Sequence, residues 1–304
     1  MEIEDLVNEY LYHCLARGYT KKTMINKRQE YKHLVIYLKE KRGITEIESI
    51  TIFDLKAYFR QKQLSGLQAS SIVSMRKIIA AFFSWCEKEE YLKGNLMKKV
   101  ESPKVPKKIL EGFTVEDVQA MIDCFSSKSY LEVRNKAIIA MLADCGLRSM
   151  ELRGLMYGDL KEISILVHGK GNKDRTVYIS PVLKKILIKY ERHRKQYFSD
   201  KTIHEDNYFL TYKGTCLSNV ALYNVIKEAG RRAGIKDKRI SPHTFRHFFS
   251  VQSLSSGNLD VYSLSRLLGH SDISTTQKYL LSMNDEQLFN KAISSSPLMG
   301  MGKK

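Results

Sequence analysis

The stretch NLMKKVESPKVPKKIL, residues 95–110, limits this chain more than any other segment. Pro103 and Pro106 lack the amide N–H that a helix needs, and their rings clash with the preceding turn, so no helix runs through them. Five lysines surround the two prolines. A charged strap of this kind is semi-rigid and stays in water, where it can lie along a row of phosphates. It divides the 304 residues into two parts, and that length suggests about two domains. The resulting reading is a first domain over 1–100, a basic linker over 101–112, and a second domain over 113–304 with a C-terminal tail from 283.

The first domain reads as helical. Leu6, Tyr10, Leu11 and Cys14 recur at helical spacing, as do Tyr31, Leu34, Val35 and Leu38. A longer amphipathic segment from Ser70 to Tyr91 carries Ile72, Ile78, Ile79, Phe82, Phe83 and Trp85, with Arg76 and Lys77 along it. In the second domain Thr114 suits an N-cap, with Asp117 three residues on. A helix is expected from about Leu131 to Cys145, stopping at Gly146. ISILVH and TVYIS have strand composition, and GKGNKDR between them supplies turn residues. PVLKKILIKYERHRKQYF is helical, as are segments around Val220, Phe245, Val261 and Thr276. The fold class is therefore mainly α with a small β-sheet, an α+β arrangement.

Charge narrows the partner. The formal net charge is +17 and the pI near 9.5. Residues 1–110 carry 21 Lys and Arg against 13 Asp and Glu, and the remainder 29 against 20. Both parts are basic, so both could contact one polyanion, which a single basic tail could not explain. Five scattered cysteines without a C-x-x-C pair point to a reduced protein with no structural zinc. No run is apolar enough to cross a bilayer, and the acidic N-terminus is not a signal peptide, so a cytoplasmic protein is expected.

Four segments concentrate unusual chemistry, and each also has a plain structural reading. In CGLRSMELRGL, Arg148 follows a glycine stop and Glu151 sits one turn on; an exposed arginine at a helix junction would look the same. In HGKGNKDR, Lys170 stands in a polar turn, where a lysine is normally just solvated. In SPHTFRHFF, His243 and Arg246 are one turn apart on a helix and could grip one anion together. His243 and His247 also have zinc-ligand spacing, but no H-E-x-x-H glutamate follows and Arg246 would repel a cation. In LLGHSDISTTQKYL, Gly269 ends a helix, His270 sits at the break, Ser271 can cap the next helix, and Tyr279 follows nine residues after His270. By itself Tyr279 could be a core aromatic.

Taken in order, GLRSMEL, HGKGNKDR, PHTFRHFF and LLGHSDISTTQKY resemble the tyrosine recombinase (phage integrase) family, and the resemblance runs over essentially the whole chain. It implies a helical core-binding domain followed by the family's catalytic domain, a layout most like Xer-type recombinases and simple mobile-element integrases or resolvases. It further implies the catalytic set Arg148, Lys170, His243, Arg246, His270 and Tyr279, with Glu151 orienting Arg148 or a histidine. Tyr279 would attack a DNA phosphate, leaving a 3′-phosphotyrosine, and Lys170 would protonate the departing 5′-oxygen, with no metal, ATP or other cofactor. The expected partner is double-stranded DNA with inverted-repeat core sites, bound by a homotetramer that passes through a Holliday junction, with an accessory DNA-bending protein or a related recombinase as a further partner, no membrane, and a nucleoid-associated location. Candidate DNA contacts are Arg76, Lys77, Lys104, Lys107, Lys108, Lys173, Arg231, Arg232 and Arg239. For the cluster Lys227, Arg231, Arg232, Lys236, Lys238 and Arg239 a solvated helix face is an equal reading. The tail beyond Tyr279, with Leu288, Phe289 and Ile293, is expected to dock on a neighbouring subunit, or else to pack on its own domain. Three departures from the family, at Asn95-Leu96, Ser250-Val251-Gln252 and Leu280-Leu281, point away from the housekeeping Xer subgroup and toward a mobile-element relative. A nicking-closing enzyme of the type IB topoisomerase kind and a catalytically idle DNA-binding accessory protein remain the competing readings.

Overall fold

The computed structural model describes residues 1–106, 111–169, 173–256 and 259–280, together with Met283 and Phe289. Lys107, Lys108, Lys170 and the rest of the tail lie outside the described residues. The chain divides into two units, Met1–Lys108 and Ile109–Lys304.

The first unit is four helices, α1 (Ile3–Ala16), α2 (Lys21–Arg42), α3 (Ile52–Leu64) and α4 (Ala69–Lys88). Their ends follow local chemistry. Thr20 accepts the Thr23 N–H to open α2, and Gly43 closes it in the left-handed region at φ 65°. Thr51 and Asp54 form a reciprocal capping box at α3. On α4, Ile72, Met75, Ile79, Phe82, Phe83 and Cys86 face the core, which also takes Leu6, Tyr10, Tyr31 and Leu34. Arg76 is committed to this unit: Nε donates to the Val100 carbonyl at 2.7 Å and Nη2 to that of Met97 at 3.0 Å. That leaves Lys77, exposed on the same helix, and exposed Lys104 as candidate DNA contacts here. Asn95 accepts the Met97 N–H at 2.9 Å and so caps the short 3₁₀ turn that leads out of the unit.

The second unit opens with α5 (Val115–Asp123), begun by the Thr114–Asp117 capping box expected from the sequence. Next comes α6 (Tyr130–Cys145), the central helix, in which Ala137 to Leu142 are all buried. It packs against α5 and against α8, α9 and α10 described below. Gly146 ends it at φ 59°. A short α7 (Ser149–Gly154) leads to a two-stranded antiparallel sheet, β1 (Ser164–Val167) and β2 (Arg175–Tyr178), with Ser164 opposite Tyr178 and Val167 opposite Arg175. The remaining helices are α8 (Pro181–Tyr197), α9 (Asn219–Arg232), α10 (Pro242–Ser255), α11 (Val261–Leu268) and α12 (Ser274–Leu280). Among the described residues no helix is long and apolar enough to cross a membrane.

One local expectation is corrected. α12 starts at Ser274, and its first donors are met by Asp272 rather than Ser271: Asp272 accepts the Ser274 N–H at 2.9 Å and its hydroxyl at 2.6 Å.

Candidate active site

Among the described residues the polar contacts of the site lie within the second unit, and several start from helix ends. Pro242 at the first turn of α10, with Ser241 accepting the Thr244 N–H, sets that helix going and puts His243 and Arg246 one turn apart. α11 stops at Gly269, φ 65°, and so delivers His270 at the turn into α12. Arg148 stands at the N-terminus of α7, where its own amide is taken by the Glu151 carboxylate at 2.7 Å.

Arg246 is 2% exposed. Its guanidinium donates to the Gly146 carbonyl at 2.8 Å, the Leu268 carbonyl at 2.6 Å and His270 Nε2 at 3.0 Å. All three acceptors are neutral, and among the described residues no carboxylate forms an ion pair with it. Burial and the neighbouring Arg148 pull its pKa down to about 10, so it stays charged at neutral pH at an energetic cost. His270 Nδ1 lies 2.7 Å from the Thr276 hydroxyl, which is fully buried. Burial first, then Arg246, Arg148 and Arg175, lowers the His270 pKa to about 4, so the ring is neutral.

Arg148 is 40% exposed on its side chain, donates to Glu151 Oε1 at 2.8 Å, and reaches toward the Gly269 carbonyl at 3.4 Å. Glu151 is almost fully covered and is held by Arg175 as well, through two bonds of 2.8 Å to its two oxygens. Burial opposes its charge, but the Arg175 fork, the Arg148 amide and the Arg148 guanidinium together hold its carboxyl down at about 2. Glu151 thus contacts Arg148 through both its amide and its guanidinium, and among the described contacts it touches no histidine.

Tyr279 stacks at 6.3 Å from the His270 ring and meets the His247 ring edge-on at 5.5 Å. It lines a cavity of about 300 Å³ with His243, His247, Arg239 and Lys278. Desolvation by its neighbours, together with Arg246, Arg239 and Arg148, lowers the His243 pKa. Arg239 therefore lies beside Tyr279 rather than on a remote face. Among the described residues His247 Nδ1 is buried without a partner, and it backs onto Gly112, where a methyl group would come within 3.0 Å. Among the described residues no group of three His, Cys, Asp or Glu gathers to hold a metal around these histidines.

The structure brings five of the six sequence-derived residues into one neighbourhood; Lys170 lies outside the described residues. The strands on either side of it are placed. His168 bridges Asp174 at 2.9 Å and Asp159 at 3.2 Å, and both carboxylates raise its pKa. Lys173 is exposed and lines an open groove of about 840 Å³ with Arg175, Arg266 and His270. Arg231 and Arg232 are less free than their charge suggests, since Glu228 pairs with both and Glu132 with Arg232. Lys238 pairs with Asp117 at 2.5 Å. The sequence reading missed Arg175 and Thr276. Arg175 carried a signal: it shares a strand face with core-facing Val177, and an arginine on an inward position demands an anion.

A model of the phage integrase family matches residues 111–286. Tyrosine recombinase XerD of Halalkalibacterium halodurans is 29% identical over 267 residues, covering 87% of this chain and 88% of that one. Among solved structures, the XerH site-specific recombinase in a post-cleavage complex with a palindromic difH substrate aligns with TM-score 0.72 at 19% identity, over 92% of this chain and 81% of that one. A lambda integrase tetramer bound to a Holliday junction aligns with TM-score 0.71 at 16% identity, over 94% and 78%.

Proposed function

The chain belongs to the phage integrase family of tyrosine recombinases, enzymes that cut and rejoin DNA, and on that premise we propose how its own residues do so. The observation that carries the reading is Arg246: a buried guanidinium with only neutral acceptors, close to a second arginine and to a tyrosine. A phosphodiester is the ligand that relieves this arrangement. Its non-bridging oxygens gain charge in the transition state, and fixed cationic donors are worth most there, about 2.7–4 kcal/mol for one donor in comparable oxyanion sites.

Tyr279 is the nucleophile. Its oxygen forms a bond to phosphorus as the bond to the 5′-oxygen breaks, leaving a 3′-phosphotyrosine and a 5′-hydroxyl. His243, kept neutral by burial and the surrounding guanidiniums, lines the same cavity and accepts the phenol proton. Lys170 gives a proton to the leaving oxygen. Arg148 and Arg246 hold the non-bridging oxygens, and Arg239, Lys173, Lys77 and Lys104 contact nearby phosphates. Attack by a 5′-hydroxyl from another strand reverses the step, so the ester conserves the bond energy. Four copies of the chain holding two inverted-repeat sites would exchange strands through a Holliday junction, in the cytoplasm on nucleoid DNA; an accessory bending protein or a related recombinase would complete the assembly. The lambda integrase tetramer on a junction supports this assembly by its likeness in fold.

Tyr279→Phe removes the nucleophilic oxygen and little else. With a nicked suicide substrate and denaturing electrophoresis, the variant is expected to bind DNA and form no covalent adduct. An adduct in the variant would overturn the assignment of Tyr279.

A further inference from the structure

Arg175 stands outside the catalytic set, yet its side chain is spent entirely on the site. It is 9% exposed. Nη1 and Nη2 each donate to one oxygen of Glu151 at 2.8 Å, and Nε donates to the Leu267 carbonyl at 2.6 Å. It also lies flat against the end of α11: a methyl group on Gly269 would come within 3.0 Å of its Cδ and 3.1 Å of its Nη1. One residue therefore joins β2 to α7 with Arg148 and to the turn that presents His270.

The hydrogen-bond count at Glu151 is informative. An ionised carboxylate offers about four lone-pair sites. Arg175 takes two, the Arg148 amide one, and the Arg148 guanidinium one. The carboxylate is filled and cannot swing. Its single negative charge is also shared between two guanidiniums. A Glu151 facing Arg148 alone would form a one-to-one pair and cancel the charge that a phosphate needs.

We propose that Arg175 is a positioning residue of this active site, which by occupying both oxygens of Glu151 keeps Arg148 aimed and electrostatically available for the phosphate while bolting β2 to the histidine turn. This rests on the reading of Arg148 as a phosphate-binding arginine. Lysine at 175 would keep the charge but could not bridge both oxygens.

The test is single-turnover cleavage of the nicked suicide substrate by the full chain, between pH 5 and pH 8. Arg175→Lys is expected to bind DNA within about threefold of wild type and to cleave at least ~10-fold more slowly, and Arg175→Met about 100-fold, the scale of one lost oxyanion donor. The pH profile separates aiming from packing. In wild type Glu151 stays ionised to about pH 2 and adds no acid limb. Without the fork, burial raises its pKa, so the rate of either variant should fall further as pH drops below neutrality. Should Arg175→Met fail to fold, Arg175→Lys carries the test, and Glu151→Gln should slow cleavage with no acid limb from residue 151. Wild-type cleavage by Arg175→Lys, or a drop of equal size at every pH, overturns the proposal. Arg148→Ala is the control: normal cleavage there would refute the reading of Arg148, whereas an inactive Arg148→Ala beside normal Arg175 variants would refute this inference alone.

Discussion

A guanidinium donates and never accepts. Arg246 Nη2 faces His270 Nε2 at 3.0 Å, so that nitrogen must carry the lone pair and Nδ1 the proton, which goes to Thr276. The tautomer is thus set by Arg246, and the Nδ1 proton is accepted by Thr276, three residues before Tyr279 on the same helix. Thr276→Val keeps the shape and removes the acceptor, leaving a donor on the half-buried imidazole unmet, a loss of about 1–3 kcal/mol. Cleavage of the suicide substrate is expected to fall roughly 10-fold or more with DNA binding retained; unchanged cleavage would show that the Nδ1 hydrogen bond does not matter. Two groups here also make stability depend on pH. The Glu151 carboxyl is depressed on folding to about 2, so its contribution is present above its ordinary value near 4.5 and is lost as pH falls through 2. His270 is depressed to about 4, so the unfolded chain takes up a proton below about 6.5 that the folded chain refuses, and stability declines from there to 4.

At the scale of elements, the site is assembled by the places where helices stop. α6 ends at Gly146 and α11 at Gly269, both in the left-handed region, and Arg246 binds the Gly146 and Leu268 carbonyls exposed by those two ends. Orphan carbonyls at a helix C-terminus carry partial negative charge, which suits a buried cation with no carboxylate of its own. Gly146 is constrained twice: φ is 59°, and a methyl group there would overlap the Phe249 ring. Gly146→Ala should cost roughly 2–4 kcal/mol from left-handed strain and overpacking, read as a lower Tm. Because its carbonyl anchors Arg246, cleavage should fall more than DNA binding does; an alanine variant with wild-type Tm would contradict this account of the helix end. The cap of α12 shows the limits of local reading. Ser271 and Asp272 are both good caps, and only the starting point of the helix decides between them.

At the scale of the molecule, both units are basic, with an excess of positive charge in residues 1–110 and in the remainder. A DNA-binding chain with this charge draws much of its affinity from phosphates and releases counterions on binding. With six or more phosphates neutralised, the affinity for a core-site duplex should drop about 10³-fold or more between 50 and 200 mM salt, measurable by titration with labelled DNA. Affinity that hardly changes over that range would mean that the positive charge is not used on the backbone. Arg231, Arg232 and Lys238 are paired with carboxylates, so their removal is expected to change the salt slope less than removal of Arg239 or Lys173.

Much of the architecture was legible before any coordinates because it is decided locally. Prolines 103 and 106 forbid a helix, Thr114 and Asp117 satisfy each other across one turn, and Gly146 and Gly269 adopt a φ that other residues resist. The order and spacing of Arg148, His243, Arg246, His270 and Tyr279 were equally visible, since each lies in a segment with its own punctuation. Their roles toward one another were not. Arg148 and Arg175 meet on Glu151, and Arg246 finds carbonyls 100 and 22 residues away in sequence. Those pairings depend on which helix ends are brought together by the packing around α6. They also depend on desolvation, which no single segment carries: burial is the first cause of the lowered pKa values of His270 and Arg246, whereas the Glu151 carboxyl is held down against its burial by Arg175 and Arg148.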